Sequence, residues 1–388
     1  MAAASENFDV TMARAAVDGA QGDLLAADHA PLPTLSFKVG SIDLQHGIGP
    51  GNLFADKRLD KAVGLDWTWE RGNKRGLRTA AAQAGVKAAQ NDLGEMRVQQ
   101  QLMALSAFYD LLAAQQRQRE IQAMARSAQA MAELMRLRLK AGDVAAQDLA
   151  RVEIETIKAR LEQDSVELER QRTALALAQL LGQSGVPQVE ESWPALSSAD
   201  STGASAIHQG TLDAAITTRP DVQAAQARVD QALAALDGAL AGRKADLTWG
   251  LSVDHFPGTS TRQVELRVQM PLQMGYGQQG EIARARAQAQ QAQDMAAKTR
   301  LLAATELTRL WQEARIAAIK ANGQETEVLP RARQVLAQAE LAYSQGALSL
   351  SDLLEARRTL RSSLLDALAA QADFAKAQGS WRLRSTAF

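Results

Sequence analysis

Asp352 and Glu355 stand three residues apart in SLSDLLEARR, a spacing that places both carboxylates on one face of a helix. Two such groups can gather cations in a confined space, while the plainer alternatives are that Asp352 caps a helix after Ser351 and Glu355 is solvated surface. No other grouping suggests a reactive centre. The four histidines, His29, His46, His208 and His255, are scattered, with no two at the helical spacing of metal ligands. A zinc or copper site needs three or four converging groups, so no resident metal is expected. The chain has no cysteine, so disulfides, thiolate metal sites, a Cys nucleophile and a lipid-modified N-terminal Cys are not expected. It carries no phosphate-binding P-loop, no GxSxG and no HExxH, and its ten Met form no thioether cluster. An enzyme, or a protein with a bound cofactor, is therefore not expected.

The elements that must position these residues are indicated by composition. Over 388 residues, 43 Lys plus Arg balance 44 Asp plus Glu, a near-neutral sum that argues against nucleic acid as the main partner. Aromatic residues make up only 4 %, and Ala, Gln, Leu, Arg and Glu dominate, which suits long helices packed side by side. No apolar run approaches the roughly 18 residues of a membrane-spanning helix. The opening MAAASENFDV has no basic region followed by an apolar run, so no secretory signal is read in the sequence.

The chain repeats itself. RLKAGDVAAQDLAR around Gly142 and AYSQGALSLSDLLEAR around Gly346 align at an offset of 204 residues, which also carries Gly76 onto Gly280. Earlier in each half the offset is 212, pairing Asp9 with Asp221 and Leu35 with Leu247. The expected organisation is a first repeat over 1–181, a connector over 182–210 rich in Pro, Gly and Ser, and a second repeat over 211–388. Each repeat reads as a helix, two strands, a very long helix, a tight turn and another long helix. The strands are expected at 33–44, 62–70, 246–256 and 261–272, and the turns at 141–148 and 345–352.

All four strand segments alternate apolar and polar residues over a length suited to crossing a bilayer. Phe37, Trp67, Trp69, Trp249 and Leu266 fall on the apolar side, with the Trp residues suiting an interfacial belt. Four strands cannot close a barrel, and an open edge in lipid costs several kcal/mol per unsatisfied group, so closure requires more than one copy of the chain. The stretches 76–140 and 280–345 would each form a helix of roughly 100 Å at about 1.5 Å per residue. Leu353, Leu360, Ala367 and Phe374 recur every seven residues, and a second stripe through Leu350, Leu354, Arg357, Leu364 and Leu368 gives this helix seams on two sides, as a ring of helices requires.

Three segments, DWTWERGNKRGLR at 66–78, RLKAGDVAAQDLARVEIE at 138–155 and VLPRARQVLAQAELAYSQGALSLSDLLEARRTL at 328–360, resemble the TolC-like outer-membrane factors, and more closely their CzcC-like heavy-metal efflux branch. The resemblance covers almost the whole chain. It implies an internally duplicated α+β membrane protein: a homotrimer with one 12-stranded outer-membrane β-barrel, four strands per chain, continued by coiled-coil helices as a periplasmic α-barrel. It also implies partners, namely a periplasmic adaptor, an inner-membrane RND-type pump and outer-membrane lipid. Only eight residues precede Asp9, so the family's usual N-terminal helix start and signal sequence are not seen in this sequence.

By the same resemblance the periplasmic gate falls on Gln147, Asp148, Tyr343, Asp352 and Glu355, with Tyr343 hydrogen bonding toward Gln147 and Asp148 of the neighbouring hairpin. The tips at Gly142, Asp143, Gly346, Ala347 and Leu348 would meet the adaptor. Drug-efflux members carry an arginine where Leu348 stands here, so a salt bridge from that position is not expected. The function implied is passive exit of substrate, heavy-metal cations first, from a tripartite pump. Drug efflux or type I protein secretion through the same channel is the alternative, and a soluble coiled-coil scaffold without a pore is the second.

Overall fold

The computed structural model describes residues 7–40, 44–45, 59–183, 185–190, 193–196, 209–256 and 260–385. His46, His208 and the Gly47–Asn52 loop lie outside the described residues. The elements in chain order are α1 (Phe8–Ala27), β1 (Thr34–Gly40), β2 (Asp60–Trp69), α2 (Lys74–Ala141), α3 (Ala146–Leu181), α4 (Gln209–Thr218), α5 (Pro220–Ala241), β3 (Leu247–Phe256), β4 (Ser260–Gln269), α6 (Gln279–Gly323), α7 (Leu329–Ser344) and α8 (Leu350–Ser385). The order helix, two strands and long helical hairpin thus occurs twice. β1 ends at Gly40, and Leu44 lies in a turn, so the strand is shorter than the expected 33–44. β4 ends at Gln269 before Pro271, which has no N–H to donate to a ladder.

The second long stretch is not one uniform α-helix. α6 passes through a π-helical turn at Gln324–Val328 before α7, and the Leu329 N–H reaches the Gln324 carbonyl, one residue further back than in an α-helix. Pro330 accounts for the change of register: an α-helix would need the N–H it lacks, and its ring would press on the carbonyl four residues earlier. α2, which has no proline, runs unbroken for 68 residues, about 100 Å at the helical rise.

The chain divides into two compact units. One comprises Arg14–Asp92 and Gln223–Thr299 and contains the sheet. Its strands are antiparallel in the order β1-β2-β3-β4, so the central β2–β3 pair joins strands from the two repeats. Apolar side chains line up in rows: Leu35, Leu65, Leu251 and Leu266 in one, Phe37, Val63, Val253 and Val264 in the next, and Trp67, Trp249 and Val268 in a third. The period-2 pattern fixes this register, because a slip of one residue would send every apolar side chain to the other face.

The other unit comprises Met1–Ala13, Leu93–Val222 and Arg300–Phe388 and is helical. The heptad stripes form its core. Val152 and Val166 of α3 and Leu353, Ala367 and Phe374 of α8 are buried, Leu353 against Met131 and Met135 of α2 and Phe374 against Ala318 and Ala321 of α6. The connector packs here too, with Val189 against the Leu111 and Leu177 cluster and Trp193 stacked on Tyr109 at 5.8 Å between ring centroids.

Candidate functional site

In the sheet-bearing unit, one sheet face is apolar and uncovered. Phe37 is 72 %, Leu266 66 % and Trp69 60 % exposed, and Val39, Val253 and Val264 are exposed as well. Trp67 is exposed beside the half-buried Trp249, its direct partner across β2 and β3, and Trp69 lies opposite Leu247. The five residues expected to face lipid thus share one face. Among the described residues, β1 and β4 have no strand beyond them.

The opposite face is polar. Asp66 of β2 and Arg267 of β4 form an ion pair at 2.7 Å that passes over β3, and Gly250 occupies the position between them in the row. A Cβ there would collide with Asp66 Oδ1 and stand 3.2 Å from Arg267 Nη2, so glycine is what allows the bridge. Thr68 and Thr248 share a hydroxyl hydrogen bond of 3.0 Å, and the buried Asp254 accepts one from Ser252 at 2.9 Å.

The DWTWERGNKRGLR motif explains how a strand becomes a helix here. After Trp69 the backbone turns through Gly72 and Asn73, both with positive φ, into α2. Asp246, just before β3, accepts the Arg71 N–H at 2.9 Å and the Lys74 ammonium at 2.8 Å. Burial works to raise the Asp246 carboxyl, but the Lys74 and Arg71 hydrogen bonds outweigh it and hold the group below the usual carboxylate range. Arg78 pairs with Glu70 and donates to the His29 carbonyl at 3.1 Å.

In the helical unit, both hairpin turns close in the same way. Gly142 (φ +81°) and Gly346 (φ +75°) end α2 and α7, and the following N–H groups, of Asp143 and Ala347, reach back to the Arg138 and Ala342 carbonyls at 2.9 Å each. Gly142, Asp143, Gly346 and Ala347 are exposed, whereas Leu348, like its repeat partner Val144, packs against the core formed by Met135, Leu350 and Leu353.

The expected gate residues are distributed around these turns. Asp352 accepts the Ser349 hydroxyl hydrogen at 2.7 Å and gives its N–H to the Ser349 oxygen at 3.2 Å, so the cap of this helix is the Ser349 side chain and not Asp352 after Ser351. Glu355 is exposed and lies 3.6 Å from Arg358. Gln147 is exposed and Asp148 half-buried in the first turn of α3. The Tyr343 hydroxyl contacts Met135 Sδ at 3.6 Å, and Arg138 lies over its ring at 6.0 Å, so within the chain its partner is Met135 instead of Gln147 or Asp148.

A buried ionic cluster was not legible in the sequence. Arg219, 4 % exposed, forks onto Asp221 at 3.0 and 2.7 Å and reaches Glu306 at 2.7 Å. Arg384 holds Glu95 through two bonds of 2.8 Å and stands 3.5 Å from Glu306. At the matching place in the first repeat, Asp9 accepts from the buried amide of Gln100, which is itself joined to Asn7. The offset of 212 aligns Asp9 with Asp221 and Asn7 with Arg219, but the partners on α2, α6 and α8 are set only by packing.

Residues 2–183 match the family described as outer membrane efflux protein. The chain is 25 % identical over 361 residues to the cobalt-zinc-cadmium resistance protein CzcC of Cupriavidus metallidurans, covering 92 % of this chain and 82 % of CzcC. It is also 25 % identical over 392 residues to nodulation protein T of Rhizobium leguminosarum bv. trifolii, covering 97 % of this chain and 80 % of that protein. Its fold matches a solved structure of CusC with a TM-score of 0.82 at 18 % identity, across 100 % of this chain and 90 % of the other. The fold built by this four-stranded sheet and these helical hairpins is thus that of a solved transmembrane channel, and the first repeat, residues 2–183, matches the outer membrane efflux protein family, which places the chain among outer-membrane proteins.

Proposed function

We propose that three copies of this chain form one passive exit duct that takes heavy-metal cations from an inner-membrane pump through a periplasmic adaptor to the exterior. The sheet carries this reading: an apolar face left open, a polar face opposite and, among the described residues, two unpaired edges support closure of a barrel by other copies. In the helical unit, α3 supports the same closure. Ile154, Leu161, Leu168 and Leu175 recur every seven residues and all are exposed, a seam left without a partner in the single chain. Leu302, Ile316 and Ile319 form a second exposed apolar stripe on α6, suited to receive it in a head-to-tail ring.

The tips Gly142, Asp143, Gly346 and Ala347 are the proposed adaptor contacts, with Leu348 bracing the turn from within. Gln147, Asp148, Tyr343, Asp352 and Glu355 form the proposed gate, where threefold repetition of the carboxylates would favour cations. The protein acts in this reading as a conduit, with no catalytic step. Similarity to CzcC, a cobalt-zinc-cadmium resistance protein, supports metal cargo, and export of drugs or of a polypeptide through the same channel is the second reading.

Conductance across planar bilayers tests the duct and its gate together. The purified protein should open cation-permeable channels that trivalent cations block, and replacing Asp352 and Glu355 with Ala should weaken that block at least tenfold. Unchanged block would remove both residues from the gate, and the absence of channels would overturn the duct itself. Metal tolerance of cells carrying the chain together with a heavy-metal pump and adaptor then separates metal from organic cargo.

A further inference from the structure

Four helices of the hairpin bundle line a half-open pocket of about 160 Å³ that the duct reading does not use. Met124 and Met131 of α2, Val152 of α3, Leu336 of α7, and Leu354 and Leu360 of α8 supply its apolar wall. In size alone it matches the ~150 Å³ that a benzene ring can enter. The polar lining consists of Ser127, Glu155, Glu340, Arg357, Arg358 and Arg361, with one more positive than negative group.

These arginines are held but not saturated. Arg357 donates to Glu340 at 3.0 Å, Arg358 pairs with Glu155, and Arg361 pairs with Glu162, a residue outside the lining. A guanidinium carries five N–H donors in a flat fork matched to a carboxylate, so Arg357 and Arg361 retain donors for a further anion. A metal ion is a poor occupant, because the lining contains neither His nor Cys and its two carboxylates are already engaged by arginine.

The geometry points to a binding site for a small amphipathic carboxylate, aromatic or short aliphatic, with its body in the apolar chamber and its head on Arg357 and Arg361. Such a ligand would touch both hairpins, α2–α3 and α7–α8, and tie them together. Binding itself does not rest on the duct reading; only an effect on gating would.

The test uses the full chain in a neutral maltoside detergent, with 4-fluorobenzoate as probe, fluorobenzene as its uncharged counterpart, and protein-free micelles as blank, all followed by fluorine NMR. Saturable broadening of 4-fluorobenzoate above the blank is the expected result. Arg357→Gln and Arg361→Gln should each weaken it at least fivefold and leave fluorobenzene unchanged, while Ala159→Leu, which fills the chamber, should abolish binding of both probes. Ala128→Leu provides a second filling variant, and circular dichroism confirms that each variant is folded. The proposal is overturned by a signal no greater than that of the blank, by arginine variants that bind 4-fluorobenzoate as tightly as the parent, or by filled, folded variants that still bind it.

Discussion

Gly346 and Gly142 hold left-handed backbone angles with open space around them, since a Cβ at either would meet nothing within 4 Å. Alanine there is therefore penalised by its backbone alone, and Gly346→Ala or Gly142→Ala should each lower stability by about 1–2 kcal/mol in denaturant unfolding. Both glycines are legible in the sequence, because the chain must reverse between two helical patterns at those points. A second pair of sites is legible only in part. The offset of 204 aligns Arg136 with Glu340 and Glu153 with Arg357, and the structure pairs Arg136 with Glu153 at 2.9 Å and Arg357 with Glu340 at 3.0 Å. The two hairpins thus carry one ion pair with its polarity reversed. Exposed pairs contribute about 0.2–1 kcal/mol, so Arg136→Glu alone should destabilise within that range and Arg136→Glu with Glu153→Arg should restore most of the loss, as a double-mutant cycle would measure.

The elements follow from periodicity where one pattern dominates. α2 and the four strands lie where their 3.6- and 2-residue patterns place them, with ends displaced by a few residues, as where β4 stops before Pro271. The π-turn before α7 is a compromise between an apolar stripe that continues and a proline that cannot, and Pro330 was its only visible sign. The start of α5 shows a stronger dependence on packing. Burial works to raise the Asp221 carboxyl, but the Arg219 fork, the Arg219 charge and the Val222 N–H outweigh it and hold the group below its usual range. A carboxyl lowered in the folded state adds stability above its unfolded pKa of about 3.9, and that stability is lost as pH falls through the folded value. Melting temperatures of the parent and of Asp221→Asn should therefore differ at pH 7, with the parent higher, and converge as pH drops from about 4 toward 2.

At the scale of the whole molecule, the exposed surfaces are those a solitary soluble chain avoids. Leu161 is 65 % exposed on the α3 seam, and the sheet face is open from Phe37 to Val268. If the proposed trimer forms, its mass in detergent, measured by light scattering, should be three chains, and Leu161→Asp with Leu168→Asp should lower it to one while leaving helix content by circular dichroism unchanged. The same pair of changes in the buried Val152 and Val166 should instead unfold the hairpin.

Sequence alone determined the duplication, the alternating strands, the long helices and the tip glycines, because each is written in residues close together in the chain, where local geometry and the burial of one face decide the outcome. It also carried the resemblance that named the family. Tertiary structure alone decided that Asp66 and Arg267 meet across Gly250, that Arg219 and Arg384 share Glu306, that the Ser349 side chain caps α8, and that four helices leave a chamber beneath Arg357. Apart from the Ser349 cap, these contacts join segments far apart in sequence, and which charge meets which depends on how helices and strands pack, a choice that no short pattern encodes.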